Sequence, residues 1–188
     1  SAGFYLGTTY LIYKISGRRE NALYFALNPL VMIESLVSVH NDIVMVFFAL
    51  LAFYLIKKHT YLSLLFLTCS ALIKYATIFL VPVYIICLRG LKNKNYNFNK
   101  AYLYAAISMS VIFFLSPLRE EIYPWYFIWP FSFLSLVSNS KILKASAAFF
   151  SFGLMLRYVP YMLTGSHFDL TPLFRNVLMV APLIFYLT

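Results

Sequence analysis

Charged side chains in this sequence are confined to short clusters that punctuate long apolar runs, and that spacing dictates the solvent in which the chain folds. Apolar residues make up 62% of the 188 positions and charged ones 11%, against roughly 45–50% and roughly 25% in soluble globular chains. No soluble core of this size could bury so much apolar side chain. The pattern predicts a polytopic membrane protein and excludes a soluble enzyme. The net charge of +9 would suggest nucleic acid in a soluble protein. Here it follows from the excess of Lys and Arg in cytoplasmic loops, with anionic lipid headgroups as partners and no nucleic acid.

The punctuation divides the chain into about nine apolar segments: 1–13, 22–39, 43–56, 60–73, 75–88, 101–117, 124–137, 145–163 and 171–187. Backbone amides in lipid must be satisfied within helices or a closed barrel. No period-two alternation is present, so the expected fold is all-α, a transmembrane helix bundle of about nine segments, some short or re-entrant. One membrane domain spanning 1–188 is expected, without a separate soluble domain. Apolar runs at both ends read as a piece of a longer protein.

Alternate connections differ in charge. One set holds Lys14, Arg18, Arg19, Lys57, Lys58, Arg89, Lys92, Lys94, Lys100, Lys141 and Lys144, which is 11 of the 15 basic residues. The other holds Asp42, Glu120, Glu121 and Asp169, four of the six acids, with Lys74, Arg119 and Arg175 nearby. The first set is expected in the cytoplasm and the second outside. Abundant Lys, Asn, Ile, Tyr and Phe fit a prokaryotic plasma membrane. The stretch 60–88 tests this scheme. As one helix it would extend about 43 Å and bury Lys74 near the bilayer centre. A hairpin is expected instead, with Lys74 in a protein-lined depression below the outer surface.

Four features are candidates for chemistry. In 28–42, Glu34 is an intramembrane carboxylate that needs a partner, and His40, Asn41 and Asp42 follow it. Asp42 is a candidate general base, or a ligand for a divalent cation at a phosphate. Its alternative role, shared with Asn41, is to cap the helix that starts at Ile43. Helical spacing would let Glu34 orient Asn41. Lys74 is a point-charge partner for phosphate, or else a snorkelling lysine. In 117–130, Trp125, Tyr126 and Trp129 form an interfacial belt or a wall against a sugar or lipid. Glu120 and Glu121 are adjacent and diverge on a helix, and Arg119 could neutralise one of them. Arg157 lies in an apolar helix and suits phosphate, or pairs with Glu34; Arg175 is a weaker candidate. His167 and Asp169 fall short of a metal site, and His59 contacts headgroups. Cys69 and Cys87 are small core residues. No metal or other cofactor is required by any motif, the cation at Asp42 being the one option. Phosphate loops, dinucleotide turns and serine elbows are absent.

Asn28-Pro29-Leu30, Glu34, His40-Asn41-Asp42, Ala71-Leu72-Ile73-Lys74 and Pro82, with Pro124-Trp125-Tyr126 and Trp129, resemble the multi-pass glycosyltransferases of the GT-C superfamily. Over residues 22–135 the chain looks most like the bacterial polyprenyl-phosphate-mannose-dependent mannosyltransferases. The resemblance implies transfer of a hexose, mannose above all, from a polyprenyl-phosphate donor to a lipid or glycan acceptor on the outer face of the cell envelope. It implies an inverting reaction with a carboxylate base in the first outer loop. That base is then Asp42 or an acid preceding Ser1. Lys74 and Arg157 would hold the donor phosphate. Asn28, Glu34, His40 and Asn41, with the aromatic residues 125, 126 and 129, would position substrates. A transporter or lipid flippase, or a non-catalytic membrane subunit, are the competing functions.

Overall fold

The computed structural model describes residues 1–92, 96–118, 121–137, 140–165 and 171–188, residue 171 by its backbone only. Arg119, Glu120, Lys94, His167 and Asp169 lie outside the described residues. Among those described, the chain is helical throughout, with no strand.

Helix α1 (Ala2–Ser16) ends where Gly17 turns left-handed (φ 67°) and returns its N–H to Tyr13. Arg19–Ala26 forms α2 and Pro29–Met32 forms α3. Asn28 caps α3 by accepting from the Val31 N–H, and Pro29 sits where its missing N–H costs nothing. The helix then widens into a π turn at Ile33–Val37. Its axis bends by 111° before α4 (Asp42–Leu55). At the apex Val39 has φ +56°, a strained conformation for a β-branched residue. Next come α5 (Thr60–Ile73), a 3-10 segment at Tyr75–Leu80, and α6 (Val81–Gly90). They are followed by α7 (Phe98–Leu115), a 3-10 turn at Pro124–Phe127 running into α8 (Ile128–Leu134), and α9 (Lys141–Leu156). The short α10 (Val159–Thr164) and α11 (Thr171–Leu187) complete the order.

Helix α4 is the central strut. Ile43, Met45, Val46, Ala49, Leu50, Ala52 and Phe53 are all buried. It runs parallel to α1, with Phe4 against Phe47 and Phe48, and antiparallel to α5. Serines on α5 hydrogen-bond carbonyls of α4. Ser70 Oγ donates to Met45 O (2.7 Å) and Ser63 Oγ to Ala52 O (2.6 Å). These small residues allow close backbone approach, which drives helix packing where lipid supplies no hydrophobic force. Their register brings residue 42 level with residue 74.

The break at Lys74 is a hairpin, as the length argument requires. Lys74 is extended (φ −153°, ψ 122°). Beyond it the chain folds back, so that Ser63 Oγ lies 2.8 Å from Tyr84 Oη and Ser70 Oγ 3.2 Å from Thr77 Oγ1. Elsewhere in the bundle, α9 and α11 touch backbone to backbone: a Cβ on Gly153 would stand 2.0 Å from Met179 O.

Among the described residues, two helical stretches are long and apolar enough to cross a membrane, Phe98–Leu118 and Lys141–Thr164, or three with the bent pair at Pro29–Val37 and Asp42–Leu55. The nine segments expected from the sequence are not all spans. Helices α4 and α5 have 14 residues each, about 21 Å, short of the roughly 30 Å hydrocarbon core. Exposed apolar side chains such as Tyr61, Leu72, Ile107, Phe114 and Phe185 cover the outside of the bundle.

Charges separate to opposite ends. Lys57 stands over the Phe98 ring at 3.9 Å, and Lys144 donates to Asn21 Oδ1 at 2.6 Å. These contacts gather the basic connections at one end. Glu34, Asp42, Lys74, Glu121, Arg157 and Arg175 gather at the other.

The hairpin can be checked by crosslinking. With Cys69→Ala and Cys87→Ala as background, Ser63→Cys and Tyr84→Cys are expected to crosslink through a short thiol-reactive linker. In one continuous helix the two positions would be about 31 Å apart, and no crosslink would form.

Candidate active site

The site is built where the bent α3–α4 pair, the α5 hairpin and the aromatic turn before α8 converge. Asp42 occupies the first turn of α4, and its side chain has no exposed surface. A carboxylate so buried must be paired. Lys74 Nζ donates to Asp42 Oδ1 at 2.8 Å and Trp129 Nε1 donates to the same oxygen at 2.5 Å. Asp42 Oδ2 is enclosed, and among the described residues it has no hydrogen-bond partner. The ammonium lies 4.3 Å from the centre of the Tyr126 ring and 5.2 Å from that of Trp129. Tyr126 stacks on Trp129 at 4.5 Å. The four residues form a cage in which Lys74 is held by charge on one side and by π faces on the other.

Lys74, Tyr126 and Trp129 line a cavity of about 220 Å³, with Ile112, Leu115 and Ser116 of the α7 end on its opposite wall. Leu115 also lines an apolar groove of about 390 Å³ along α7, with Ile107, Val111, Phe114 and Leu134. Leu115 is thus common to the lining of the cationic cavity and of the apolar groove.

A second cluster lies beside the first. Glu34 is buried within the π turn, a helix defect common at functional sites. Tyr158 Oη donates to Glu34 Oε1 at 2.7 Å. His40 Nε2 stands 3.4 Å from Glu34 Oε2, an ion-pair distance without hydrogen-bond geometry, since that oxygen has no bonded partner. The His40 ring stacks on Trp125 at 4.0 Å, and Trp125 on Tyr123 at 4.6 Å. Arg157 donates to Asn176 Oδ1 at 2.9 Å and lies 4.0 Å from Glu121. Arg175 donates to Glu121 Oε2 at 2.6 Å. A cavity of about 340 Å³ runs between Trp125, Tyr158, Arg157 and Arg175.

The sequence-derived candidates therefore divide. Asp42, Lys74, Tyr126 and Trp129 come together, as do Glu34, His40 and Trp125. Lys74 and Arg157 line different cavities, so the structure does not bring them onto one group. Arg157 pairs with Glu121 and Asn176, not with Glu34. Glu34 meets His40 and Tyr158, whereas Asn41 is exposed and its carbonyl accepts the Val44 and Met45 N–H groups at the start of α4. Neither Asn41 nor Asp42 supplies a side-chain cap. Asn28 sits apart from both clusters, capping α3 and donating to Ser151 Oγ at 2.8 Å. Tyr158 and Asn176 carried no signal in the sequence, because their partners Glu34 and Arg157 lie 124 and 19 residues away along the chain. A divalent cation at Asp42 would find one carboxylate with an ammonium 2.8 Å away, a donor set that repels it. Among the described residues, no group of three or more His, Cys, Asp or Glu is assembled.

Residues 53–188 match the family model described as the MptB C-terminal domain. Residues 6–90 match that of the Alpha-(1->6)-mannopyranosyltransferase, N-terminal domain. The chain belongs to this mannosyltransferase family. It is a glycosyltransferase chain with membrane-type apolar helices. No curated protein and no solved structure matches it. Asp42 falls in the part of this mannosyltransferase chain matched by the N-terminal model, Trp129 in that matched by the C-terminal model, and Lys74 in both. The cage joins the two parts.

Removing one member of a buried ion pair strands the other charge, at about 3–5 kcal/mol. Lys74→Met is therefore expected to lower the melting temperature of the purified protein sharply. Adding Asp42→Asn should restore most of the loss. Equal melting of the single variant and the parent would mean that the pair does not hold the site.

Proposed function

We propose that this chain carries the donor site of an enzyme that moves mannose from a polyprenyl-phosphate donor to a lipid or glycan acceptor. The reaction takes place at the outer face of a prokaryotic plasma membrane and serves the cell envelope. The chain is part of a longer GT-C protein, and its short and bent helices are re-entrant segments completing a bundle of about nine.

One observation carries this reading: the caged ammonium of Lys74 lines a cavity that shares its Leu115 wall with an apolar groove along α7. A lipid-linked sugar phosphate has the same polarity, an anion at the end of a long apolar tail. The tail lies along α7 and the phosphate meets Lys74. The acceptor oxygen attacks the anomeric carbon, the bond from that carbon to the phosphate oxygen breaks, and the electron pair leaves with the phosphate. The polyprenyl phosphate gains one negative charge, which Lys74 opposes inside a site walled by Tyr126 and Trp129. As the phosphate draws the ammonium, Asp42 loses its counter-charge and takes the acceptor hydroxyl proton. His40, Glu34 and Trp125 hold the sugar edge beside this cavity, and Asn28 fixes α3 against α9.

The test is transfer by membranes carrying the full-length gene, supplied with polyprenyl-phosphate mannose and candidate acceptors. Lys74→Ala is expected to cut kcat by about 10²–10³, and Asp42→Asn by about 10²–10⁴, at normal expression. Unchanged transfer in both would remove the assignment. Movement of the donor across the membrane without bond cleavage would mark a flippase instead.

Sidedness has its own check. A membrane-impermeant thiol reagent added outside intact cells should label Asn41→Cys, which is exposed, and leave Lys58→Cys unmodified. The reverse pattern would place the site in the cytoplasm.

A further inference from the structure

We infer that Arg157 and Arg175 form a second phosphoryl-binding site, separate from Lys74, that receives a phosphoryl group carried by the acceptor. The acceptor half of this inference rests on the transfer reaction proposed above; the anion site itself does not.

The argument begins with burial. Arg157 is only 5% exposed, and among the described residues its Nε has no hydrogen-bond partner. A buried guanidinium with unused donors is costly unless an anion completes it. The carboxylate at hand does so incompletely. Glu121 lies 4.0 Å from Arg157 but 2.6 Å from Arg175, and its side chain is 58% exposed. Among the described residues, two guanidiniums share one solvent-facing carboxylate, leaving one positive charge in surplus. Such a carboxylate is a displaceable occupant: an incoming anion can take its place while Glu121 swings into water at little cost.

Shape narrows the ligand class. Guanidinium forks match tetrahedral oxyanions through paired N–H donors, better than a point charge does. Arg157 and Arg175 line the cavity of about 340 Å³ whose other wall is Trp125 and Tyr123. Those rings stack in continuity with His40. An aromatic wall beside a pair of arginines suits a sugar ring bearing a phosphoryl group. The Lys74 cavity differs: its ammonium is already neutralised by Asp42, and its far wall is apolar. Lipid-linked phosphate belongs there. The Arg157 cavity shares no lining residue with the apolar groove along α7, so a polyprenyl tail in that groove does not lead to it.

The experiment uses the full-length protein purified in detergent, with inorganic phosphate as probe and thermal melting as readout, and needs no activity. Phosphate is expected to raise the melting temperature of the parent and of the charge-balanced Lys74→Met, Asp42→Asn double variant alike. The shift should vanish in Arg175→Gln and in Arg157→Gln, and grow in Glu121→Gln. Arg175→Gln keeps the test valid where Arg157→Gln fails to fold. A shift lost in the Lys74→Met, Asp42→Asn double variant but kept in Arg175→Gln, or no shift in any variant, overturns the site. A kinetic arm identifies the source of the phosphoryl group. With paired acceptors, one neutral and one bearing a phosphoryl group, Arg175→Gln should raise KM for the charged acceptor at least tenfold. The neutral acceptor and the donor should keep their KM. A rise in donor KM alone would assign the second site to the donor and overturn the acceptor role.

Discussion

The architecture depends on how a carboxylate with no exposed surface is paired inside a membrane-type bundle. Asp42 is answered by Lys74 and by the Trp129 indole, donors from a hairpin and from an aromatic turn. For that contact to form, α4 and α5 must pack antiparallel in one register, which Ser63 and Ser70 fix by bonding α4 carbonyls. The chain must also leave helical geometry at Lys74, where its extended backbone lets the ammonium reach across. The strained apex at Val39 serves the same end by turning α4 back at 111° from the preceding helix. Strain at the apex and a broken helix at Lys74 are both consequences of bringing an anion and a cation together at membrane depth.

Around this cage the structure separates two kinds of chamber. One is lined by the Lys74 ammonium, by Tyr126 and Trp129 and by the apolar Ile112 and Leu115. The other is lined by guanidiniums and stacked rings and carries surplus charge among the described residues. Tyr126 and Trp129 wall the first and Trp125 walls the second, so a single aromatic turn, Pro124–Phe127 with the start of α8, forms the partition between them.

Much of this was legible in the sequence wherever one residue's cost could be met in only one way. The length of 60–88 and the charge of Lys74 required a hairpin, and the hairpin is present. Glu34 and Asp42 needed partners, and both are buried with them. The order Asn28, Glu34, His40-Asn41-Asp42 and Lys74 resembled polyprenyl-phosphate-dependent mannosyltransferases, and the family match agrees at the level of mannosyltransferase. The choice among partners was less legible. Arg157 had Glu34 as a plausible mate by depth alone, but the turn of α9 directs it to Glu121 and Asn176. Asn28, quoted for its place in a motif, holds α3 to α9 through Ser151.

By itself the sequence determined the medium, the helical character, the separation of charge to two ends and the identity of the buried ionisable groups. These follow from transfer free energies, which act residue by residue and can be summed along a chain. Only the tertiary structure decided which cation answers which carboxylate, which apolar segments are long enough to span, and that Lys74 and Arg157 serve different cavities. Those outcomes depend on helix register and crossing, set by close packing among residues distant in sequence. A shift of one helical turn, about 5.4 Å, is enough to exchange one partner for another.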